Sequence, residues 1–216
     1  MIKLVQGVIN FHENVLPGLR EQFAQLASGQ PTDALMIACA DGRVVPNLFA
    51  STNPGDLAVV RNVGNLVPPA YHSDGGSEVA AIEFALNTMK VKDIIVCGHS
   101  DCRGMAALLD DKRITPNLQQ WIHHGQEAKQ QLNGGKTFDS SLIPRDQLSQ
   151  LNVMCQLDNL RTYPQVKEHM TAGALRLHGW WFDIRSGNVY AFEPDEGKFI
   201  VIDKNEGDRI LARIKI

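Results

Sequence analysis

Four cysteines in 216 residues are too few to build a disulfide framework, and in a reducing compartment such thiols serve as metal ligands or small buried residues. Long apolar runs are missing as well. The longest stretches fall far short of the roughly 20 residues a bilayer requires, and the N-terminal "MIKLVQGVINFHENV" lacks a signal-peptide core and cleavage site. A cytoplasmic protein without a membrane span is expected. The lysines and arginines form no block and the net charge is -3, so nothing electrostatic points to nucleic acid or an anionic membrane. Internal repeats, low-complexity tracts and linkers are also absent, which predicts a single domain over 1–216. What the chain does have is 44% hydrophobic residues, enough for a substantial core.

Those apolar residues are patterned. Val8, Phe11, Val15, Leu19, Phe23 and Leu26 recur at spacings of three and four, which predicts an N-terminal amphipathic helix that packs on the body or on a partner. Three short runs bounded by turn residues, at 34–40, 56–62 and 93–99, read as strands buried on both faces and hence parallel. The segment 77–90 has helical periodicity and makes the crossover between the second and third. Further helices are predicted at 116–133 and 144–160. A fourth strand, "ALRLHGWWFDI", meets "NVYAFE" across "RSGN", a hairpin signal. The expected fold is α/β, a mostly parallel sheet flanked by helices with an antiparallel edge strand. Ligands bind such sheets at the carboxyl ends of the strands, where Cys39 and His99 both fall.

His99 and Cys102 are three residues apart, a spacing that lets both reach one ion if the chain turns into a helix after Gly98. Cys39 would complete a Cys₂His set. Two thiolates and an imidazole suit zinc, and three protein ligands leave a fourth position open, as in catalytic sites. The plainer alternative is that each cysteine is a small core residue. Asp41 and Arg43 follow Cys39 in "CADGR". Asp41 at that distance reaches the metal or its water, with Arg43 holding the carboxylate; or Asp41 caps a turn that Arg43 merely neutralises. Cys97, within a strand, and Cys155, in an apolar helical stripe, read as core thiols. The adjacent His123 and His124 point apart on a helix and read as solvent-facing.

The spacing Cys-x-Asp-x-Arg followed later by His-x-x-Cys, met by Cys39, Asp41, Arg43, His99 and Cys102, resembles the β-class carbonic anhydrases of the plant-like and bacterial branch. The likeness runs from "GQPTDALMIACADGRVVPNLF" through "PGDLAVVRNVGNLVPP", "AAIEFAL" and "IIVCGHSDC" to "LHGWWFDIRSGNVYAF". It implies one zinc per chain and reversible hydration of carbon dioxide to bicarbonate by zinc-bound hydroxide. It also implies a homodimer, or a tetramer or larger, with the N-terminal helix packed on a partner subunit. By the same resemblance Asp41 orients the hydroxide and Arg43 holds Asp41 off the metal, while in a closed state Asp41 becomes a fourth ligand. Gln30, Val63 and Phe84 match substrate-pocket positions, Gln30 across a dimer interface. Arg61 matches half of an allosteric bicarbonate pocket known in another branch. Met36 replaces the tryptophan that pocket needs, so the pocket is not expected here.

The chain departs from the family pattern at several pocket positions. Gly42 replaces a serine, Ala58 a bulky aromatic, Phe84 a tyrosine, and Arg103 the glycine that follows the second cysteine. Arg103 admits three readings: it points into solvent, it binds an anion such as bicarbonate, or it fills the substrate channel. Other functions compatible with the same residues are hydrolysis of carbonyl sulfide or carbon disulfide, and a non-catalytic zinc protein.

Overall fold

The computed structural model describes residues 1–29, 32–72, 76–110 and 114–214. The apolar run near residue 34 forms β1 (Ala34–Cys39), and every residue of it is buried. A strand without a polar face has to lie inside a sheet covered on both sides. β1 pairs in parallel with β2 (Leu57–Asn62) on one side and β3 (Asp93–His99) on the other. β4 (Arg176–Phe182) extends the parallel set beside β3; β5 (Val189–Glu193) and β6 (Lys198–Val201) follow antiparallel, giving the order β2-β1-β3-β4-β5-β6. The expected mostly parallel sheet with an antiparallel edge is the one observed. β2 differs from the expectation of two buried faces: most of its residues are half-buried, because it is the edge strand of this chain.

The helices in chain order are α1 (Ile2–Asn10), α2 (Leu16–Leu26), α3 (Pro46–Phe49), α4 (Ser77–Phe84), α5 (Arg103–Asp110), α6 (Pro116–Ile122), α7 (Gln126–Asn133), α8 (Pro144–Arg161), α9 (Pro164–Thr171) and α10 (Lys204–Ile214). The helix predicted over 77–90 ends as a wide turn, Ala85–Met89, which closes on Lys90 in the left-handed conformation. The one predicted over 116–133 is broken by a tight turn at His123–Gly125. Its cause is local: a Cβ on Gly125 would lie 2.8 Å from Leu108 Cδ2, so the chain approaches α5 more closely than a residue with a side chain permits.

α8 organises the interior. It starts at Pro144, where the missing N–H costs nothing, and buries ten of its 18 residues, some against the sheet and others, such as Leu148, Leu151 and Cys155, against α5, α6 and α7. Val153, Leu157 and Leu160 meet Leu35, Ile37, Ile94 and Val96 from β1 and β3, while Ile82 of α4 and Leu86 close the same layer. Gly98 lets α8 lie this close, since a Cβ there would come within 2.7 Å of Val153 Cγ2. On the other face of the sheet, Met36, Ala38 and Cys97 pack with Phe49 of α3 and Phe182 of β4. Among the described residues no helix is long and apolar enough to cross a membrane.

Candidate metal centre

Parallel pairing puts the ends of β1 and β3 side by side, so Cys39 and His99 emerge at one edge of the sheet. After His99 the chain turns through Ser100 and Asp101 and delivers Cys102 immediately before α5. The ligand atoms of Cys39, His99 and Cys102 all lie within 4.8 Å of one another, and all three residues are buried. His99 Nδ1 lies 2.8 Å from the Ser100 carbonyl oxygen. A carbonyl only accepts, so Nδ1 carries the proton and Nε2 keeps its lone pair. That buried Nε2 has no hydrogen-bond partner. An orphaned imidazole acceptor beside two thiols is what a borderline-soft divalent cation needs, and the donor set fits zinc.

One of the two sulfurs, that of Cys39, is prepared as a thiolate. The Gly64 N–H donates to Cys39 Sγ at 3.4 Å, and the Gly104 and Met105 N–H groups at the start of α5 donate to the Cys102 sulfur. The Cys39 thiol is drawn down to about 4, first by the hydrogen bond from Cys102 and, against the cost of burial, also by the Gly64 N–H. Cys102 moves upward in return, through its hydrogen bond to Cys39 and its burial, and binding a cation there would require it to lose its proton. Cys97 and Cys155 behave oppositely to Cys39. Burial pushes both up to about 12, which keeps them as inert thiols and agrees with their reading as core residues.

Asp41 and Arg43 form a bidentate pair beside this group. Arg43 Nε donates to Asp41 Oδ1 at 2.9 Å and Nη2 to Oδ2 at 2.7 Å, while the Arg43 backbone N–H also reaches Oδ1 at 3.0 Å. These bonds, the side-chain ones above all, hold the Asp41 carboxyl well below the usual carboxylate range. Asp41 is not a member of the ligand cluster. A cleft of about 430 Å³ opens here, lined by Cys39, Asp41, Gly42, Arg43, Val63 and Arg103 among others. Arg103 is exposed on this cleft at the start of α5.

The structure thus brings Cys39, Asp41, Arg43, Val63, His99, Cys102 and Arg103 together. It does not bring Ala58 or Phe84 to the cleft of their own chain. Ala58 lies four residues before the end of β2, about 13 Å down the strand, and packs against the main core. Phe84 ends α4 and is 51% exposed. Gln30 lies outside the described residues.

Several supporting roles were not legible in the sequence, that of Arg61 among them. Arg61 Nη2 donates to the Cys39 and Asp41 carbonyl oxygens at 2.9 and 2.6 Å, tying the β1 turn to β2. α8 carries a buried polar stripe at spacings of three and four. In it Ser149 Oγ donates to the His99 carbonyl, Asn152 to that of Gly64, and Gln156 Oε1 accepts from the Val67 N–H. An unusual density of polar residues on a buried helix face was the available signal, visible as "SQLNVMCQLDN" only once the facing loops are known.

A mostly parallel sheet with a cysteine–histidine–cysteine donor group and an acid–arginine pair at its carboxyl edge has the layout of a metalloenzyme active site. The carbonic anhydrase family profile matches residues 34–189. A carbonic anhydrase from Pseudomonas aeruginosa is 39% identical over 202 residues, covering 93% of this chain and 91% of that protein. Among solved structures, the β-carbonic anhydrase CcaA superposes with a TM-score of 0.86 at 34% identity, covering 96% of each chain. A tetrameric β-carbonic anhydrase from Sordaria macrospora does so at 0.71 and 30% identity, covering 88% of this chain and 92% of that one. The chain belongs to the β-carbonic anhydrases, a family of lyases.

Proposed function

We propose that the protein catalyses the reversible hydration of carbon dioxide to bicarbonate and a proton, with one zinc per chain held by Cys39 Sγ, His99 Nε2 and Cys102 Sγ. The observation that carries this reading is the buried His99 Nε2, free of any hydrogen bond and grouped with two thiols beside a paired aspartate. Zinc bound there would supply a Lewis acid able to ionise a water near neutral pH. Asp41, kept ionised by Arg43, is acceptor-only; it takes a hydrogen bond from the attacking water at a carboxylate oxygen and so aims it. Arg43 keeps that carboxylate off the metal, and Val63 offers carbon dioxide an apolar wall. Cys39 and Cys102, held as two thiolates, would cancel the formal charge of a bound zinc, so the site would supply a less acidic water than three imidazoles would, and activity is expected to rise toward alkaline pH. A purely structural zinc has no use for the Asp41–Arg43 pair.

In this reading the chain is one domain over 1–216 and acts in the cytoplasm, where its free cysteines stay reduced. The exposed apolar face of α1 and α2 packs on a second copy, giving homodimers that pair into tetramers, the assembly size of the Sordaria macrospora relative. Gln30 and Phe84 then serve the partner's cleft. Metal analysis combined with stopped-flow hydration tests the proposal. The expected result is one zinc per chain and a kcat about 100-fold lower in Asp41→Ala with zinc content unchanged. A zinc-loaded protein that leaves carbon dioxide untouched but hydrolyses carbonyl sulfide or carbon disulfide would replace the substrate, and a purified protein that binds no zinc would overturn the reading.

A further inference from the structure

The Asp41–Arg43 pair does not stand alone. The outer edge of the Arg43 guanidinium is taken by Asp101: Nη1 donates to Asp101 Oδ2 at 2.6 Å, and Nη2 also reaches the Asp101 carbonyl oxygen at 3.1 Å. The other oxygen of Asp101, Oδ1, accepts from Arg145 Nη2 at 2.6 Å. Charges therefore alternate along one chain of contacts: Arg145, Asp101, Arg43, Asp41. Asp101 is also fixed through its backbone. It holds φ at 57°, in the left-handed region, and its N–H donates to Asp146 Oδ1 at 2.7 Å. Arg145 and Asp146 both belong to the first turn of α8, and Asp101 lies between the ligands His99 and Cys102.

We propose that Asp101, braced by Arg145, is a positioning residue that holds Arg43 on Asp41 and thereby keeps Asp41 out of the metal's fourth position. The proposal rests on the metal site of the preceding section. Its physical ground is exposure: the side chains of Arg43, Asp101 and Arg145 are 38%, 46% and 32% exposed, and a lone ion pair so exposed is weak. A free Arg43 could release Asp41 at little cost. An Arg43 gripped at both a carboxylate and a carbonyl of a backbone-anchored residue has one orientation, the one that is bidentate to Asp41. Asp101 is not part of the Cys39–His99–Cys102 group, both of its carboxylate oxygens are taken by arginines, and it acts through Arg43.

The test reads the fourth coordination position directly, without substrate. Cobalt is loaded in place of zinc, and azide is titrated while the visible bands of the metal are followed. In Asp101→Asn and in Arg145→Met, Asp41 competes for the fourth position, and the apparent Kd for azide rises about fivefold in each. The two substitutions change the local charge in opposite directions, so a shared weakening is not electrostatic. Asparagine tolerates the left-handed backbone, and Arg145 lies on the first turn of a helix, so at least one variant retains the fold. In an Asp41→Ala background both substitutions should be silent to within twofold. An unchanged or tighter azide Kd in Asp101→Asn, or a weakening that survives in the Asp41→Ala background, overturns the positioning role. A wild-type chain that takes up no cobalt overturns the metal site itself.

Discussion

Arg103 is the residue at which this chain departs most openly from the family pattern, and its position narrows the readings left open by the sequence. It starts α5, it borders the cleft beside Asp41 and Arg43, and it is exposed. An exposed guanidinium at the cleft does not plug it, but it adds a positive charge where an anion enters or leaves. Arg103→Ala is therefore expected to leave kcat for carbon dioxide hydration within about twofold while weakening inhibition by monovalent anions about threefold; a hydration rate raised tenfold or more would instead show that the side chain blocks the channel. At this scale the Cys39, His99 and Cys102 donor group was legible because each residue sits at a strand end or helix start that short-range pattern reveals. Arg61, Asp101 and Ser149 were not, because their partners lie 22, 58 and 50 positions away in sequence and nothing local announces them.

The strands show the same division between local and distant causes. β1, β2, β3 and the β4–β5 hairpin stand where apolar runs and turn residues placed them. β6 and α10 went unread, since β6 is a four-residue strand that gains its identity only by pairing with β5, and α10 carries a thin apolar stripe. Strand starts also carry a charge device with a pH consequence. At the amino ends of β3 and β4, Asp93 accepts from His178 Nε2 at 2.7 Å and from Arg176 Nε and Nη2 at 2.7 and 2.8 Å. Burial alone would raise its pKa, but the bonds from His178 and Arg176 prevail and hold it at about 2. A carboxyl depressed in the folded state stabilises above its unfolded value, near 4, and that contribution is lost as pH falls from there toward 2. Discounted for the 41% exposure of Arg176, it is worth about 1–2 kcal/mol. Asp93→Asn should thus lower Tm by about 3–6 °C at pH 7, and differential scanning fluorimetry should show the gap to wild type closing as the pH drops below 4.

On the scale of the whole molecule, the N-terminal segment is the part whose apolar face the rest of the described chain leaves uncovered. The predicted apolar stripe exists, yet no residue of α1 or α2 is buried, and Leu4, Val8, Ile9 and Val15 are 68%, 67%, 50% and 42% exposed. Amphipathic periodicity tells that a helix has a face to hide but not which surface hides it, and here that surface is not the body of the same chain. Burying four such side chains on a second copy would yield roughly 5–10 kcal/mol before the cost of association, a magnitude that sustains a dimer. A carboxylate placed in that interface has no partner and costs several kcal/mol, more than a hundredfold in Kd for two positions together. The double substitution Val8→Asp with Ile9→Asp is therefore expected to reduce the mass seen by light scattering to that of one chain. Zinc content should stay at one per chain, because Cys39, His99 and Cys102 come from a single chain and lie remote from α1 in sequence. Under the proposed function, in which Gln30 and Phe84 serve the partner's cleft, hydration should fall about tenfold. An unchanged mass would refute the docking of α1 and α2, and a monomer with full activity would show that each cleft is complete within one chain.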